Sequence, residues 1–321
     1  MSALELPEVT EPPRLSLARL DTPLERLERT SAQLGRDLWV KRDDLTGWAL
    51  SGNKIRKLEY LLAEAQARGA ERVVTCGGVN SNHARATAVA AARLGLECRL
   101  LLRGEDRVPP AGNLVLSRMM GTEIHFTDAE GYARRDALLA ELAGPRGYAV
   151  PEGGSNALGA LGYIRAAREL VNDAEARGLK LSRVVHAASS GGTTAGLALG
   201  FAALNRPVEL SSVIVDDGGA ARFEARVDAI FRECVEAGYV GAELAARARF
   251  TAVEGFVGQG YARFTEDELS EYRALAAREG CFVDPVYTGK AYLALARGAF
   301  SPDEGATVFL HTGGGFELFA L

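Results

Sequence analysis

Lys54 is the residue of this chain best suited to carbonyl chemistry. It stands in the run Ser51-Gly52-Asn53-Lys54, on a glycine-containing turn directly ahead of a strongly helical stretch. A lysine amine held in a dry pocket has a lowered pKa and can form a Schiff base with a carbonyl group. A lone lysine does not indicate such a pocket, but three glycine clusters further along the chain do.

The first glycine cluster, at 189–194, reads Ser-Ser-Gly-Gly-Thr-Thr. It follows a predicted strand at 183–187 and opens a predicted helix, where converging backbone N–H groups and the helix N-terminus suit a phosphate. A plain strand-to-helix turn is the alternative. The cluster has neither the G-K-[ST] of a P-loop nor the G-x-G-x-x-G of a dinucleotide site. The residues predicted to hold the phosphate are Ser190, Gly191, Gly192, Thr193 and Thr194.

The other two clusters also adjoin predicted strands. His311-Thr312-Gly313-Gly314-Gly315 ends the last strand, and its glycines predict a close backbone approach, either to a flat ring or to a neighbouring helix. Gly77-Gly78 precedes Ser81 and Asn82 at a helix start, which could hold a carboxylate or could simply be capped by either side chain. A phosphate cup, a ring-sized slot, a lysine and a carboxylate site together predict pyridoxal phosphate acting on an amino-acid substrate.

These motifs lie in a chain that alternates between short apolar strands and helices. The pattern predicts an α/β fold with two doubly wound, mostly parallel-sheet lobes, in which ligands bind at the carboxyl ends of the strands. The first series comprises strands 72–76, 97–102, 123–126 and 148–150 and helices 56–68, 83–94, 111–120 and 132–142. A long helix at 158–177 follows, and the second series comprises strands 183–187, 210–215 and 307–311 and helices 194–204, 220–237 and 266–279.

The overall composition argues against nucleic-acid-binding, disulfide-rich and membrane proteins. The chain has 321 residues, 47% of them hydrophobic and 25% charged, with a net charge of -5, so nucleic acid is not an expected partner. The four cysteines are far apart and form no C-x-x-C pair, which argues against a metal site or a disulfide scaffold and for a reducing compartment. No apolar run approaches the ~20 residues that span a bilayer, and no signal peptide is apparent. We therefore expect a cytoplasmic protein that does not bind a membrane.

Four motifs occur in order along the chain: Ser51-Gly52-Asn53-Lys54-x-Arg56-Lys57, Gly77-Gly78-x-x-Ser81-Asn82-His83, Asp284-Pro285-Val286-Tyr287-Thr288-Gly289-Lys290 and His311-Thr312-Gly313-Gly314. Jointly they resemble the D-cysteine desulfhydrase and 1-aminocyclopropane-1-carboxylate (ACC) deaminase family. The resemblance implies a fold type II pyridoxal phosphate enzyme of the tryptophan-synthase-β-like group, and a homodimer. It also implies a large cofactor-binding domain of residues 1–53 and 166–321, with a small domain of residues 54–165 between.

The resemblance assigns roles to particular residues. Lys54 is implied to carry the cofactor, and Asn82 to contact its ring. Ser81 is implied to bind the substrate carboxylate. Tyr261 and Tyr287 are implied to face the substrate, so that the catalytic candidates are Lys54, Ser81 and the two tyrosines.

Position 288 favours one reaction within the family. ACC deaminases have a glutamate after the motif tyrosine, which keeps the pyridine nitrogen of the cofactor protonated, whereas this chain has the neutral hydroxyl of Thr288. A weaker electron sink suits α,β-elimination, and His83, where ACC deaminases tend to have glutamine, favours the same reaction. The expected reaction converts D-cysteine to pyruvate, hydrogen sulfide and ammonia. The alternatives are β-elimination of L-cysteate or β-chloroalanine, and the ACC deaminase reaction.

Other positions on the expected substrate side depart from the family pattern. Asn80 stands in place of a glutamine, Gln259 in place of a proline, and Gly315-Phe316-Glu317 in place of small residues. Asn80 and His83 join Ser81 and the two tyrosines as substrate-binding candidates, and Thr288 is a cofactor-binding candidate.

Two further classes of protein are weighed against the enzyme. A non-catalytic protein that binds a phosphorylated ligand would not need Lys54, and a nicotinamide oxidoreductase would need the missing dinucleotide fingerprint. Arg56 and Lys57 are interpreted as helix-surface residues, and 216–219 as a loop only.

Overall fold

Ten strands form two sheets within the part of the chain that this computed structural model describes, residues 5–301 and 304–321. The larger sheet has the order β1-β2-β10-β7-β8-β9, in which only β1 runs antiparallel to its neighbour. Its strands are β1 (Leu24–Arg26), β2 (Leu38–Lys41), β7 (Leu181–Ala188), β8 (Glu209–Ile214), β9 (Thr251–Val253) and β10 (Ala306–Leu310).

The smaller sheet is parallel throughout and has the order β5-β4-β3-β6. Its strands are β3 (Arg72–Gly78), β4 (Glu97–Arg103), β5 (Glu123–Thr127) and β6 (Gly147–Ala149). The apolar run of β3 is buried on both faces, as expected for a central strand of a parallel sheet.

Helices connect and cover the strands of both sheets. They are α1 (Glu28–Leu34), α2 (Lys54–Ala67), α3 (Asn82–Arg93), α4 (Asn113–Met119), α5 (Ala129–Ala133), α6 (Arg135–Ala143), α7 (Ala157–Ala176), α8 (Gly192–Ala203), α9 (Gly219–Glu236), α10 (Ala242–Arg247), α11 (Glu266–Glu279) and α12 (Thr288–Ala296). None of the described helices combines the length and the apolarity that crossing a bilayer would require.

Small residues allow helices α2, α7 and α8 to pack closely between the two sheets. A Cβ atom at Gly162 of α7 would lie 2.3 Å from the Arg56 carbonyl oxygen, and one at Gly196 of α8 would lie 2.3 Å from the Ala160 carbonyl oxygen. Helix α2 is therefore held directly against α7. This contact fixes the start of α2, where Lys54 lies.

A buried ionic network also anchors the N-terminal end of α2. The guanidinium of Arg56 donates to Asp43 at 2.7 and 2.8 Å and to Glu169 at 2.8 Å. Lys41 from β2 reaches Glu169 at 2.6 Å. Burial alone would raise the pKa of Glu169, but the charges and hydrogen bonds of Arg56 and Lys41 lower it to about 2. Arg56 is thus not a helix-surface residue, because its side chain is fully enclosed.

The predicted fold class is confirmed, with differences in detail. Helix α11 has the predicted bounds, and the other predicted strands and helices shift by one or two residues at most ends. The helix predicted at 132–142 is instead the pair α5 and α6, broken at Arg134. The short strands β1, β2 and β9 and the helices α1, α10 and α12 were not predicted. The division at 53/54 and 165/166 stays a prediction, and α7 runs through residue 165 without a break.

Candidate active site

A cavity of about 380 Å³ opens at the carboxyl ends of strands from both sheets. Its volume lies in the range of small-molecule sites. It brings together most of the residues predicted from the sequence, namely Lys54, Ser81, Asn82, His83, Ser190, Gly191, Thr193, Thr194, Tyr261 and Tyr287. Asn80, Gly192 and Thr288 do not line it. Their roles, like those of the lining residues, stay predictions.

Lys54 is the first residue of α2, not part of the turn before it. Its amine faces the cavity, and a Cβ atom at Gly153 would lie 3.5 Å from Nζ, so Gly153 forms the wall behind it. Desolvation lowers the pKa of Lys54 to about 8, against the opposing charge of Glu152. The amine is therefore far more often neutral than that of an ordinary lysine.

Lys57 lies one turn further along α2 and is buried beside the cavity. Its Nζ donates to the Gly153 carbonyl oxygen at 3.2 Å and to Ser155 Oγ at 3.1 Å. Burial and the nearby charge of Lys54 lower its pKa well below the ordinary value. The interpretation of Lys57 as a helix-surface residue is wrong, because its side chain is buried and its amine donates to oxygens beside the cavity.

The predicted phosphate cup is a turn that leads into α8. Ser190 Oγ lies 2.8 Å from Ser155 Oγ, which also accepts a hydrogen bond from the Gly192 N–H at 3.2 Å. Thr193 Oγ1 accepts from Asn53 Nδ2 at 3.1 Å. The first N–H groups of a helix have no acceptor within it, so the N-terminus of α8 offers donors to an anion. The sequence did not indicate Ser155, which lies 34 residues or more from the rest of the cup.

Thr194 differs from its neighbours in the cup. Its hydroxyl lies 3.2 Å from His186 Nε2 and 3.0 Å from Ser212 Oγ, both on strands of the larger sheet. The hydroxyl therefore ties α8 to the sheet, and Thr194 can serve an anion through its backbone N–H alone.

Ser81 and Asn82 occupy the start of α3. Ser81 Oγ accepts the Ala84 N–H at 3.2 Å, the N-cap that was the alternative to a carboxylate site. The Asn82 amide is fixed from two sides, since its Nδ2 donates to Glu317 Oε1 at 2.9 Å and its Oδ1 accepts from Asn113 at 3.0 Å. Asn82 thus enters the cavity in one defined orientation.

Glu317 is a buried acid on the expected substrate side, to which the sequence assigned no role of its own. Burial raises its pKa well above the ordinary value, and the neighbouring Asp284 adds to the rise, while Arg85 opposes it. The raised pKa favours the neutral, protonated form of Glu317. Through its hydrogen bond to Asn82, Glu317 helps to hold that cavity residue in place.

Asn80 Oδ1 and His83 Nε2 are hydrogen-bonded to residues that do not line the cavity. Asn80 Oδ1 accepts the Asn113 N–H at 2.6 Å, so its side chain packs on the start of α4. His83 is buried with Nε2 2.8 Å from Thr75 Oγ1. Burial and the charges of Lys54 and Lys57 lower the pKa of His83 well below 6.5, so its ring is neutral.

Tyr261 and Tyr287 form a pair on one side of the cavity. Their hydroxyl groups are hydrogen-bonded to each other, and their ring centroids are 6.0 Å apart at 73°. Burial raises the pKa of both, so both are protonated at neutral pH. The pair offers one free O–H proton to a group in the cavity.

Thr288 lies behind the cavity wall, where α12 begins. Its hydroxyl donates to Asp284 Oδ2, and it lies 3.4 Å from the Gly313 carbonyl oxygen. Gly313 lines the cavity with φ of +95°, and a Cβ atom there would lie 2.6 Å from Gly52 Cα. The glycine cluster after β10 therefore serves a backbone-to-backbone contact with the turn before Lys54, the close approach that the sequence predicted.

Further cavity residues carry charge and were not predicted. Asp216 accepts from Ser189 Oγ at 2.8 Å and from Arg226 at 3.1 Å, and the Tyr261 N–H donates to Asp217 at 3.2 Å. The interpretation of 216–219 as a loop only is therefore wrong, since this segment forms one wall of the cavity. On the opposite wall the charged residues are Arg103, Arg135 and Glu152.

The cavity fits the cofactor that the motifs imply, pyridoxal phosphate. A lysine amine of lowered pKa, an anion-binding turn and a glycine-lined wall open into one space. The close approaches at Gly153 and Gly313 leave no room for side chains, so the walls beside the amine are flat backbone. Lys54 would hold the carbonyl carbon of the cofactor, and the turn before α8 would hold its phosphate.

Comparisons with known proteins agree with the geometry. The profile of pyridoxal-phosphate dependent enzymes matches residues 15–313. D-cysteine desulfhydrase of Klebsiella pneumoniae (strain 342) is 40% identical over 329 residues, covering 99% of this chain and 98% of that protein. A crystal structure of an ACC deaminase homologue has a TM-score of 0.84 at 36% identity, covering 96% of this chain and 94% of that one. An L-serine ammonia-lyase from Rhizomucor miehei, at 19% identity, shares the fold with a TM-score of 0.68 over 93% of this chain and 95% of that one. The resemblance expected from the four motifs is confirmed.

Proposed function

The chain belongs to the family of pyridoxal-phosphate dependent enzymes, and we propose that it is a lyase that catalyses α,β-elimination of a β-substituted amino acid. The expected substrate is D-cysteine, which with one water gives pyruvate, hydrogen sulfide and ammonia. The observation that carries the proposal is Lys54, whose amine opens into a cavity between an anion-binding turn and the start of α3. The 40% identity to a D-cysteine desulfhydrase supports the choice of substrate.

Lys54 is proposed to hold the cofactor and to accept the Cα proton at Nζ. When bound, pyridoxal phosphate supplies an electron-withdrawing ring that acidifies the Cα–H bond of the amino acid. A pKa of about 8 leaves roughly a tenth of the amine neutral at pH 7, against roughly three in ten thousand for a lysine of pKa 10.5. The cavity therefore raises the fraction of competent base by about 300-fold.

The start of α3 and the tyrosine pair are proposed to bind the rest of the substrate. Ser81 and the first N–H groups of α3 would hold the α-carboxylate, as a helix N-terminus does for anions. The protonated hydroxyl of Tyr261 or Tyr287 would give its proton to the sulfur as the Cβ–S bond breaks and the sulfur leaves with the bonding electrons. Water then has no part in protonating the leaving group.

Thr288 favours elimination over opening of a cyclopropane ring. Its hydroxyl donates to Asp284 Oδ2 and accepts the Asp284 N–H at 2.9 Å, and it carries no charge with which to stabilise a protonated pyridine nitrogen. The ACC deaminase reaction is the second candidate, because the structural match to an ACC deaminase homologue covers nearly the whole chain.

Two measurements test the proposal. The purified protein should show a visible-violet absorbance band that borohydride removes; Lys54→Ala should lose it, and Lys180→Ala, which removes an exposed lysine, should keep it. D-cysteine should release hydrogen sulfide, and ACC should release no 2-oxobutyrate. A borohydride-sensitive band in Lys54→Ala would refute the role of Lys54. Release of 2-oxobutyrate at a rate comparable to that of sulfide would refute the choice of reaction.

Three further features are proposed. The resemblance supports a homodimer and a small domain of residues 54–165 inserted into a large one, and the widely spaced cysteines support a reducing, cytoplasmic location. Sedimentation at the 34.1 kDa of a single chain would contradict the dimer.

A further inference from the structure

Tyr261 lies in a connection whose own sequence does not fix its conformation. This connection, the described residues 254–265 between β9 and α11, lies outside the helices and strands. Four of its residues have a positive φ, namely Gly255 at 96°, Gly258 at 67°, Gly260 at 122° and Ala262 at 57°. Glycine adopts several backbone conformations at similar cost, so contacts from outside the connection must set the direction of the Tyr261 side chain.

Lys290 is a fully buried lysine of α12 that supplies one of these contacts. Its Nζ donates to the Val257 carbonyl oxygen and, at 3.1 Å, to the Gly260 carbonyl oxygen. Burial lowers the pKa of Lys290, which disfavours the charged form. Three nearby carboxylates oppose that effect, those of Glu268, Asp217 and Asp284.

The peptide group that joins Gly260 to Tyr261 is held from both sides. Its carbonyl oxygen accepts from Lys290, and its N–H donates to the Asp217 carboxylate at 3.2 and 3.3 Å. Because a peptide group is planar, fixing both ends fixes its orientation. The reverse orientation would turn the carbonyl oxygen towards the carboxylate and the N–H towards the amine, so electrostatics favour the observed one.

The same end of α12 also fixes the partner of Tyr261. Tyr287 directly precedes α12, and its N–H donates to the Asp284 carboxylate at 2.6 Å. The hydroxyl groups of Tyr287 and Tyr261 are hydrogen-bonded to each other. Lys290 therefore ties the backbone before Tyr261 to the helix whose start holds Tyr287, so one helix end sets how the two hydroxyl groups meet.

We propose that Lys290 and Asp217 are positioning residues, which hold the Tyr261 hydroxyl where it can give its proton to the leaving sulfur. The sulfur takes the electron pair of the Cβ–S bond and the Tyr261 proton, and departs as hydrogen sulfide. The phenolate that remains keeps its hydrogen bond to Tyr287 and recovers a proton from water. A chloride leaving group departs as a stable anion and needs no such proton. The inference rests on the proposed function, because it concerns the proton donor of that reaction.

Amide hydrogen exchange tests this clamp on the peptide group without any turnover. In the holoenzyme, exchange at the Tyr261 N–H, followed by mass spectrometry of peptides from 254–265, should become about 10- to 100-fold faster in Lys290→Met. This is the range that a hydrogen bond to a charged group gives. Lys290→Gln, which keeps N–H donors but not the charge, should fall between. Asp217 is exposed, so Asp217→Ala breaks the clamp from outside the core and should also speed the exchange.

Arg249 provides the matched control, because it too donates to two backbone carbonyl oxygens, those of Ala246 at 2.6 Å and Ala248 at 2.8 Å. These lie at the end of α10, and Arg249 is not among the residues that line the cavity. Arg249→Met should leave the exchange at Tyr261 unchanged. Thermal melts and the absorbance band of each variant exclude global unfolding as the cause. Unchanged exchange at Tyr261 in Lys290→Met would overturn the clamp.

Turnover of two substrates joins the clamp to the reaction. The ratio of kcat/KM for D-cysteine to kcat/KM for β-chloro-D-alanine should fall about 10-fold or more in Tyr261→Phe, because only the thiol leaving group needs the proton. The ratio should fall in Lys290→Met as well, but Lys290→Met should lower it little further in a Tyr261→Phe background, because the two residues act together. A loss of folded enzyme lowers both rates equally and leaves the ratio unchanged.

The two readouts separate failure of the clamp from failure of the proposed function. A ratio that fell in Tyr261→Phe but not in Lys290→Met would refute the positioning role of Lys290. If neither substrate gave pyruvate, or if the ratio did not change in Tyr261→Phe, while exchange at Tyr261 still depended on Lys290, the proposed elimination or its proton transfer would be refuted and the clamp would stand.

Discussion

Glu169→Gln should destabilise the protein by about 3 kcal/mol at pH 7. Folding lowers the pKa of Glu169 from 4.5 to about 2, because Arg56 and Lys41 outweigh the effect of burial. A shift of about 2.5 units at ~1.36 kcal/mol per unit corresponds to about 3 kcal/mol. The loss of one partner from a buried ion pair falls in the same range, about 3–5 kcal/mol. The variant keeps the size and one oxygen acceptor of the side chain, so the charge is the main change.

The destabilisation should also depend on pH in a defined direction. The folded state has the lower pKa, so the contribution of Glu169 is complete above about pH 5 and is lost as the pH falls through 4.5 towards 2. The difference between wild type and variant should therefore shrink to about 2 kcal/mol at pH 3.5. Urea unfolding at the two pH values, with equal m-values, measures both quantities.

Glu175→Gln is the control on the same helix. Glu175 pairs with Arg206 at the surface, where such pairs contribute about 1 kcal/mol or less. A loss below 1 kcal/mol for Glu169→Gln at pH 7, or a loss that did not change with pH, would refute the conclusion that this network holds the start of α2.

Three other predictions concern the cavity itself. The rate at which an aldehyde reagent modifies Lys54 in the cofactor-free chain should rise with pH up to about 8 and then level off, because the pKa is lowered; continued rise to pH 10 would contradict this. Glu317→Gln should bind pyridoxal phosphate nearly as the wild type does, because it keeps an oxygen acceptor for Asn82 Nδ2 and the raised pKa of Glu317 already disfavours the charge that the substitution removes. Glu317→Ala should bind the cofactor about 2- to 10-fold more weakly. Equal losses in a cofactor titration would refute the supporting role of this acceptor. Gly313→Ala should lower the free energy of unfolding in urea by about 1–3 kcal/mol, because its methyl group would meet Gly52. Gly298→Ala is the control, since Gly298 also has a positive φ but its methyl group would lie in open space. A smaller loss in Gly298→Ala would assign the difference between the two variants to crowding rather than to backbone strain.

Local signals explain which elements could be predicted from the sequence. Helix α11 has a capping box between Thr265 and Glu268 and ends at Gly280 in the left-handed conformation, and both signals are readable in the sequence. Strands β1 and β9 have three residues each, too few for a periodic pattern. Helix α12 follows Asp284, whose carboxylate accepts three backbone N–H groups before and at the start of the helix, so this helix too has a capping residue in the sequence.

The residues of the candidate site likewise divide into those that have a local signal in the sequence and those that have none. Lys54, Ser81 and the turn at 189–194 were found because glycine or a cap stands within a few residues of each. Lys57 and Ser155 were missed, and Glu317 was recognised only as a departure from the family pattern, because the environment of each is set by residues far away in the sequence. Lys57, for example, is enclosed by residues such as Gly153, 96 positions further along the chain. A polar residue on a helix reads as exposed unless the distant partner is known.

The position of β10 has a consequence for how the protein is made. This strand is the last of the described strands in the sequence, yet it lies in the interior of the larger sheet, between β2 and β7. Until β10 has been synthesised, β2 and β7 have no strand between them, and Gly313 cannot meet the turn before Lys54. Lys54 is thus synthesised well before the strand that completes its cavity. A chain truncated before residue 306 would carry the reactive lysine without the site that selects its aldehyde.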